Sequence, residues 1–222
     1  MPPLRFSAAQ EGPCAVIESP SGSGTNNSST RAYESVALLE RLTAFLIAPH
    51  ATAGEIVLGY GAALCGSGAM IMLALHADLS ALQTAVLALM GFDICGGAVV
   101  NATRAAEQRF HHAGNPAWRS VSFCAAHIHP LILAAVFPIF PMKAATIFYA
   151  GMVASCGVIR YTPAHLRSPI AYAATTMLLM AWIILLPCAG IILPPYLDWM
   201  FPVMTIKILL AHLVPRSDVN PE

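Results

Sequence analysis

Four side chains able to move a proton or hold an ion sit in stretches that otherwise read as hydrocarbon. They are Asp93 in "GFDICGGAVVN", His127 and His129 in "FCAAHIHPLILAAVF", and Lys207 in "VMTIKILLAHL". A desolvated carboxylate beside an imidazole is a general acid–base pair. Histidine with carboxylate is also a ligand set for Zn, Fe or Cu, here drawn from Glu107, His111, His112, His127 and His129. Buried Asp and His chains can equally relay protons through a carrier. A regular helix turns about 100° per residue, so His127 and His129 would point about 200° apart. One of the two is therefore expected at a site with Asp93, unless Pro130 distorts the turn before it. The acid–base reading ranks Asp93 and His129 first, then His127, Asn101 and Glu107, with Asn101 positioning a substrate.

The solvent around these groups follows from composition. The chain has 222 residues, of which 57% are hydrophobic and 10% charged, with no net charge. Its mean hydropathy is +0.68. Soluble domains carry about 25% charged residues. The apolar residues come in runs long enough for the roughly 20 residues a membrane-spanning helix needs. The expected fold is an all-α, polytopic membrane bundle of six transmembrane helices plus an N-terminal amphipathic interfacial helix. The spans are expected near 55–77, 79–102, 120–140, 142–160, 168–193 and 197–214. Pro138, Pro141, Pro163, Pro194 and Pro195 punctuate the connections. Residues 31–50 mix Glu34, Glu40 and Arg41 with apolar side chains, as a helix lying on a bilayer surface does. Residues 1–30, with "SPSGSGTNNSST", are too small and polar to bury a core and are expected to be a disordered tail. Residues 31–222 form a single membrane domain. With no net charge and no basic run, nucleic acid is not an expected partner; the expected partners are the bilayer and a lipophilic molecule. The six cysteines contain no CxxC spacing and are expected to pack as small hydrophobes.

With six spans, Arg31, Arg41, Arg104, Arg109, Arg119, Arg160, Arg167 and Arg216 share a side with both termini, and Lys143 alone lies opposite. The positive-inside rule then places the termini in the cytoplasm, of a bacterial inner membrane or a eukaryotic endomembrane. At 1.5 Å of rise per residue, Asp93, His127, His129 and Lys207 all fall about 9–12 Å below the same boundary. Thr175 and Thr176 fall at a similar level. A charge at that depth costs at least about 2.5–3.5 kcal/mol against lipid, so these groups are expected to meet inside the bundle. An Asp93–Lys207 pair is one simple outcome. Gly96 and Gly97 leave space beside Asp93, either for close helix packing or for a ligand. The glycines of the first span (Gly54, Gly59, Gly61, Gly66, Gly68) let helices approach closely.

These features predict an integral membrane enzyme acting on a lipid or isoprenoid from the cytoplasmic leaflet. No cofactor is required by that chemistry, while Zn, Fe or Cu would serve a hydrolase or oxidase. Phe92, Phe123, Tyr149, Tyr172 and Trp182 are candidates to line the substrate site and to stabilise carbocations by cation–π contact, with Lys207 beside them. A proton-coupled transporter would use the same buried groups. In size, helix count and buried acid the chain resembles small integral-membrane terpene cyclases. That outline implies proton-initiated cyclisation or isomerisation.

Overall fold

The first two helices form a hairpin welded by residues that lack bulk. In the computed structural model, which describes Thr43 and residues 47–110 and 116–214, α1 spans Ala53–His76 and α2 spans Ala81–Asn101. Each begins with a capping box. The Thr52 hydroxyl accepts from the Glu55 N–H while the Glu55 carboxylate accepts from the Thr52 N–H, and Ser80 and Gln83 do the same. These pairs satisfy the N–H groups that a helix start leaves without partners. Asp78, with φ of 51°, turns the chain between them; aspartate is among the few residues that visit this left-handed region. Along the seam, a Cβ on Gly66 would lie 2.5 Å from Gly91 O, and one on Gly96 2.7 Å from Ala63 Cβ. Gly54, Gly61 and Gly68 meet open space. The close-approach role expected of the glycine-rich first span thus belongs to Gly59 and Gly66.

After the short α3 (Arg104–Phe110), the chain runs through α4 (Ala117–Ala126), α5 (His129–Val136) and α6 (Met142–Tyr161). α7 starts at Ala164 and continues through a π-helical stretch, Ala181–Leu185, to Cys188. Pro187 has no N–H to give the carbonyl four residues back, and the backbone widens just before it. α8 is Pro195–Asp198, and α9 (Met200–Thr205) passes into a second π-helical stretch, Ile206–His212.

Every described element is helical, and five helical segments are long and apolar enough to cross a membrane: Ala53–His76, Ala81–Asn101, Ala117–Val136, Met142–Tyr161 and Ala164–Cys188. Their ends fall within a few residues of the expected ones. Large apolar side chains such as Val57, Leu64, Leu82, Ile147 and Ile183 face outward, the pattern of a bundle embedded in lipid. The sixth expected span corresponds to α8, α9 and the second π-helical stretch, which lie at the centre: Met200, Phe201, Met204, Lys207, Ile208 and Leu209 are all buried. Cys124 on α4 and Cys156 on α6 pair as a disulfide, with Cα atoms 6.8 Å apart. This corrects the reading of these two as simple packing residues; antiparallel neighbours bring them together across a sequence separation of 32. The tail 1–30, most of the interfacial helix 31–50, and His111 and His112 lie outside the described residues.

Candidate functional site

Asp93 sits midway along α2, where its carboxylate gathers side chains from two other helices. Lys207 Nζ donates to Asp93 Oδ2 at 2.5 Å and to the Asp93 carbonyl at 3.0 Å. His129 Nε2 lies 3.1 Å from the same Oδ2. The lysine reaches a backbone carbonyl inside a helix because of Gly97. A Cβ there would run into Lys207 Cε and lie 2.7 Å from Nζ. The two adjacent glycines therefore have separate jobs: Gly96 admits α1, and Gly97 admits the lysine. Lys207 itself stands in the first turn of the second π-helical stretch and is only 2% exposed. Such widened turns are frequent at functional sites.

His129 arrives by way of a broken helix. Pro130 cannot donate to Ala126 O, and α4 ends there; α5 restarts at His129. At His127 and Ile128 the chain leaves helical geometry, and each stranded carbonyl finds another donor. Phe123 O takes His127 Nδ1 at 2.7 Å, Cys124 O takes the His127 N–H at 3.1 Å, Ala125 O takes the Tyr149 hydroxyl at 2.6 Å, and Ala126 O takes the Ile128 N–H at 2.9 Å. Irregular backbone at membrane depth is tolerated only where such partners exist. The break overturns the regular-helix expectation for the two imidazoles. Their rings stack with centroids 5.3 Å apart instead of diverging. His127 Nδ1 faces a carbonyl and so carries the proton, leaving Nε2 as an acceptor. His129 Nδ1 is buried with no hydrogen-bond partner among the described residues.

Asp93 is not sealed in. Its side chain is 47% exposed, against 17% for His129. Both line a groove of about 360 Å³ whose other walls include Tyr60, Ala63, Leu89, Met90 and Phe92. These residues lie along the lengths of α1 and α2, so the groove opens on the flank of the bundle, where acyl chains run. The hydrogen bonds that the described residues give the Asp93 carboxylate fall on Oδ2, and Asp93 is itself a lining residue of the groove.

The remaining sequence candidates are dispersed. Phe92 lines the groove. Phe123 lies between His127 and His212, with ring centroids at 4.6 and 4.0 Å. Tyr149 supports the break through its hydroxyl and is not a groove residue. Trp182 is buried elsewhere, its ring tilted against that of Phe201 with centroids 3.9 Å apart and its indole N–H donating to Asp198 Oδ1 at 2.9 Å. Tyr172 points outward, and Thr176 donates to its carbonyl; Thr175 is buried on α7. Asn101 ends α2, about 12 Å along the helix from Asp93, with its Nδ2 buried and unpartnered among the described residues. Glu107 belongs to α3, beyond that end. Trp182 and Tyr172 do not line this groove: Trp182 stands in the aromatic core beside a second cavity that it shares with Asp198, and Tyr172 faces outward. Lys207 is not among the lining residues of the groove and is bonded to Asp93. Among the described residues no three His, Cys, Asp or Glu side chains converge to hold a metal ion. The expected ligands Glu107 and His129 lie on separate elements, and His127 Nδ1 is already committed.

Sequence reasoning missed Tyr60, Leu89 and Met90 as groove walls and Tyr149 as the donor that stabilises the break. Pro130 was the visible signal for the latter. Compared with family models, curated proteins and solved structures, the chain matches none.

Proposed function

We propose that the protein is an integral membrane enzyme in which Asp93 and His129 exchange a proton with a lipophilic substrate lying in the groove. The observation that carries this reading is the half-exposed Asp93 carboxylate, 3.1 Å from His129 Nε2, on an apolar wall that opens sideways. Proton transfer between positioned groups contributes about 10²–10⁴-fold in rate. The pair gives a proton to one carbon of an unsaturated chain and takes one from another, so the product is an isomer or a cyclised isomer and no co-reactant is consumed. Lys207 holds Oδ2 in place, which leaves Oδ1 to meet the substrate. His127, stacked on His129, keeps that ring aligned.

The topology that goes with this reading has six crossings, with 197–214 as the sixth, and both termini in the cytoplasm. The arginine bias described above supports it. The groove then opens in the cytoplasmic leaflet of an inner membrane or endomembrane. A second reading, a proton-coupled carrier, draws on the broken α4–α5 helix, since discontinuous helices build carrier sites. Against it, the polar groups of the other half are few, and Asp198 is occupied by Trp182.

Full-length protein in nanodiscs, incubated with host lipid extract in D2O, tests the enzyme directly. Mass spectrometry is expected to find lipids that gain deuterium with wild type and not with Asp93→Asn. Equal deuterium in empty nanodiscs rejects the enzymatic reading. Proton uptake coupled to solute in sealed vesicles, lost in Asp93→Asn, would favour the carrier.

A further inference from the structure

We propose that the groove selects an uncharged lipophilic alcohol and rejects both phosphate-headed and ammonium-headed lipids at the level of Asp93. The inference names the substrate class for the site proposed above and rests on that reading for its chemistry, although binding can be measured without turnover.

The argument is one of charge and hydrogen bonding. α1 brings Gly59, Tyr60 and Ala63 to the groove, and none of these is charged. α2 brings one ionisable group, Asp93, and α5 brings His129. Lys207 lies behind Asp93, 2% exposed, and both of its hydrogen bonds go to that residue. The Asp93–Lys207 pair is already balanced. A ligand phosphate would set a second anion against the Asp93 carboxylate, whose Oδ2 already engages both Lys207 Nζ and His129 Nε2. A ligand ammonium would add an uncompensated positive charge at a depth where one charge costs at least about 2.5–3.5 kcal/mol. A hydroxyl donates to Oδ1 and leaves the net charge unchanged. The other hydroxyl on the wall, that of Tyr60, lies 3.4 Å from Thr43 Oγ1, and the Asp93 carboxylate is a charged acceptor that the groove presents. The volume of about 360 Å³ holds roughly a dozen non-hydrogen groups at about 30 Å³ each. A longer chain runs out through the open flank into the bilayer.

The test uses full-length protein in phosphatidylcholine nanodiscs and three dodecyl probes bearing a diazirine: the alcohol, the amine and the phosphate monoester. A phospholipid with the diazirine in its acyl chain is the fourth probe. Peptide mass spectrometry after photolysis is expected to show adducts at Tyr60 and at Leu89–Met90 at least tenfold more abundant for the alcohol than for the other three. Asp93→Asn is expected to lower alcohol labelling about tenfold, the value of one hydrogen bond to a charged acceptor. Leu89→Trp, which fills the groove from an exposed position, is expected to abolish labelling at Tyr60. It serves as the deciding variant if Asp93→Asn does not fold. Equal labelling by the phosphate or the amine overturns the proposal. So does equal labelling by the phospholipid, which would mark the groove as a crevice for any acyl chain, or persistent Tyr60 labelling in Leu89→Trp. Selective alcohol labelling without deuterium incorporation would sink the acid–base reading and leave this one standing; deuterium incorporation without selectivity would do the reverse.

Discussion

Two carboxylates in this bundle each receive a side chain from a π-helical stretch, and they are used differently. Asp198, at the end of α8, accepts the Trp182 indole N–H at 2.9 Å. Trp182 is packed against Phe140, Phe148 and Phe201. Asp93 accepts Lys207, and His129 approaches the same oxygen. An indole N–H does not give up its proton in water near neutral pH, whereas imidazole and ammonium exchange theirs. Irregular helix geometry is common to both places, so it does not by itself mark a site. Asp198 and Trp182 line a cavity of their own, of about 140 Å³, so an adjoining cavity does not mark a site either. The capacity of the partners to move protons separates the two.

The comparison is most severely tested by removing each carboxylate. Asp93→Ala leaves Lys207 buried without its counter-charge and is expected to cost about 3–5 kcal/mol in detergent unfolding, with loss of deuterium incorporation. Adding Lys207→Met is expected to recover most of the stability and none of the turnover. Asp198→Ala removes one neutral donor's partner and is expected to cost about 0.6 kcal/mol, the average for hydrogen bonds in a membrane bundle. Equal costs for the two would erase the distinction. Trp182→Ala comes next, at about 2–3 kcal/mol. That is at or below the lower end for soluble cores, because the unfolded reference still lies in lipid. Turnover per folded molecule is expected to be unchanged; a loss would put the aromatic cluster back into the site.

What the sequence could reveal divides along the same line. Long apolar runs and matched depth were enough to place five helices and to bring Asp93, His129 and Lys207 to one level, because rise per residue is a constant of regular helices. The meeting of both imidazoles was not legible, because the 200° argument assumed a regular helix through His127. Pro130 signalled a distortion but not its direction, which depends on Tyr149 donating from another helix. The widened turn at Lys207 has no local sequence mark. Trp182 and Tyr172 resembled Phe92 in type, and only packing separates an aromatic core, an outer face and a groove wall.

The adjacent glycines sharpen the contrast at a finer scale. Gly96→Ala and Gly97→Ala each place a methyl where there is no room, and each is expected to cost about 1–3 kcal/mol. Gly96→Ala pushes on Ala63 across the α1–α2 seam and is expected to spare turnover. Gly97→Ala pushes on Lys207 and is expected to reduce it, with the lysine drawn off Oδ2. If both variants turn over equally, the Asp93–Lys207 contact has no catalytic consequence.

A change in stability as small as that of Asp198→Ala tests the supporting helix. Tyr149→Phe removes one hydroxyl and keeps the ring, so about 0.6 kcal/mol is at stake. That hydroxyl is the donor to Ala125 O, whose helical partner would have been the His129 N–H. Without it, the gain from closing the helix across residues 127–129 rises, and closure rotates His129 away from Asp93. Turnover is therefore expected to fall by far more than the stability loss would suggest, with little change in substrate binding, because the groove walls are on α1 and α2. A proportionate loss of both would mean that the break is held by Pro130 alone.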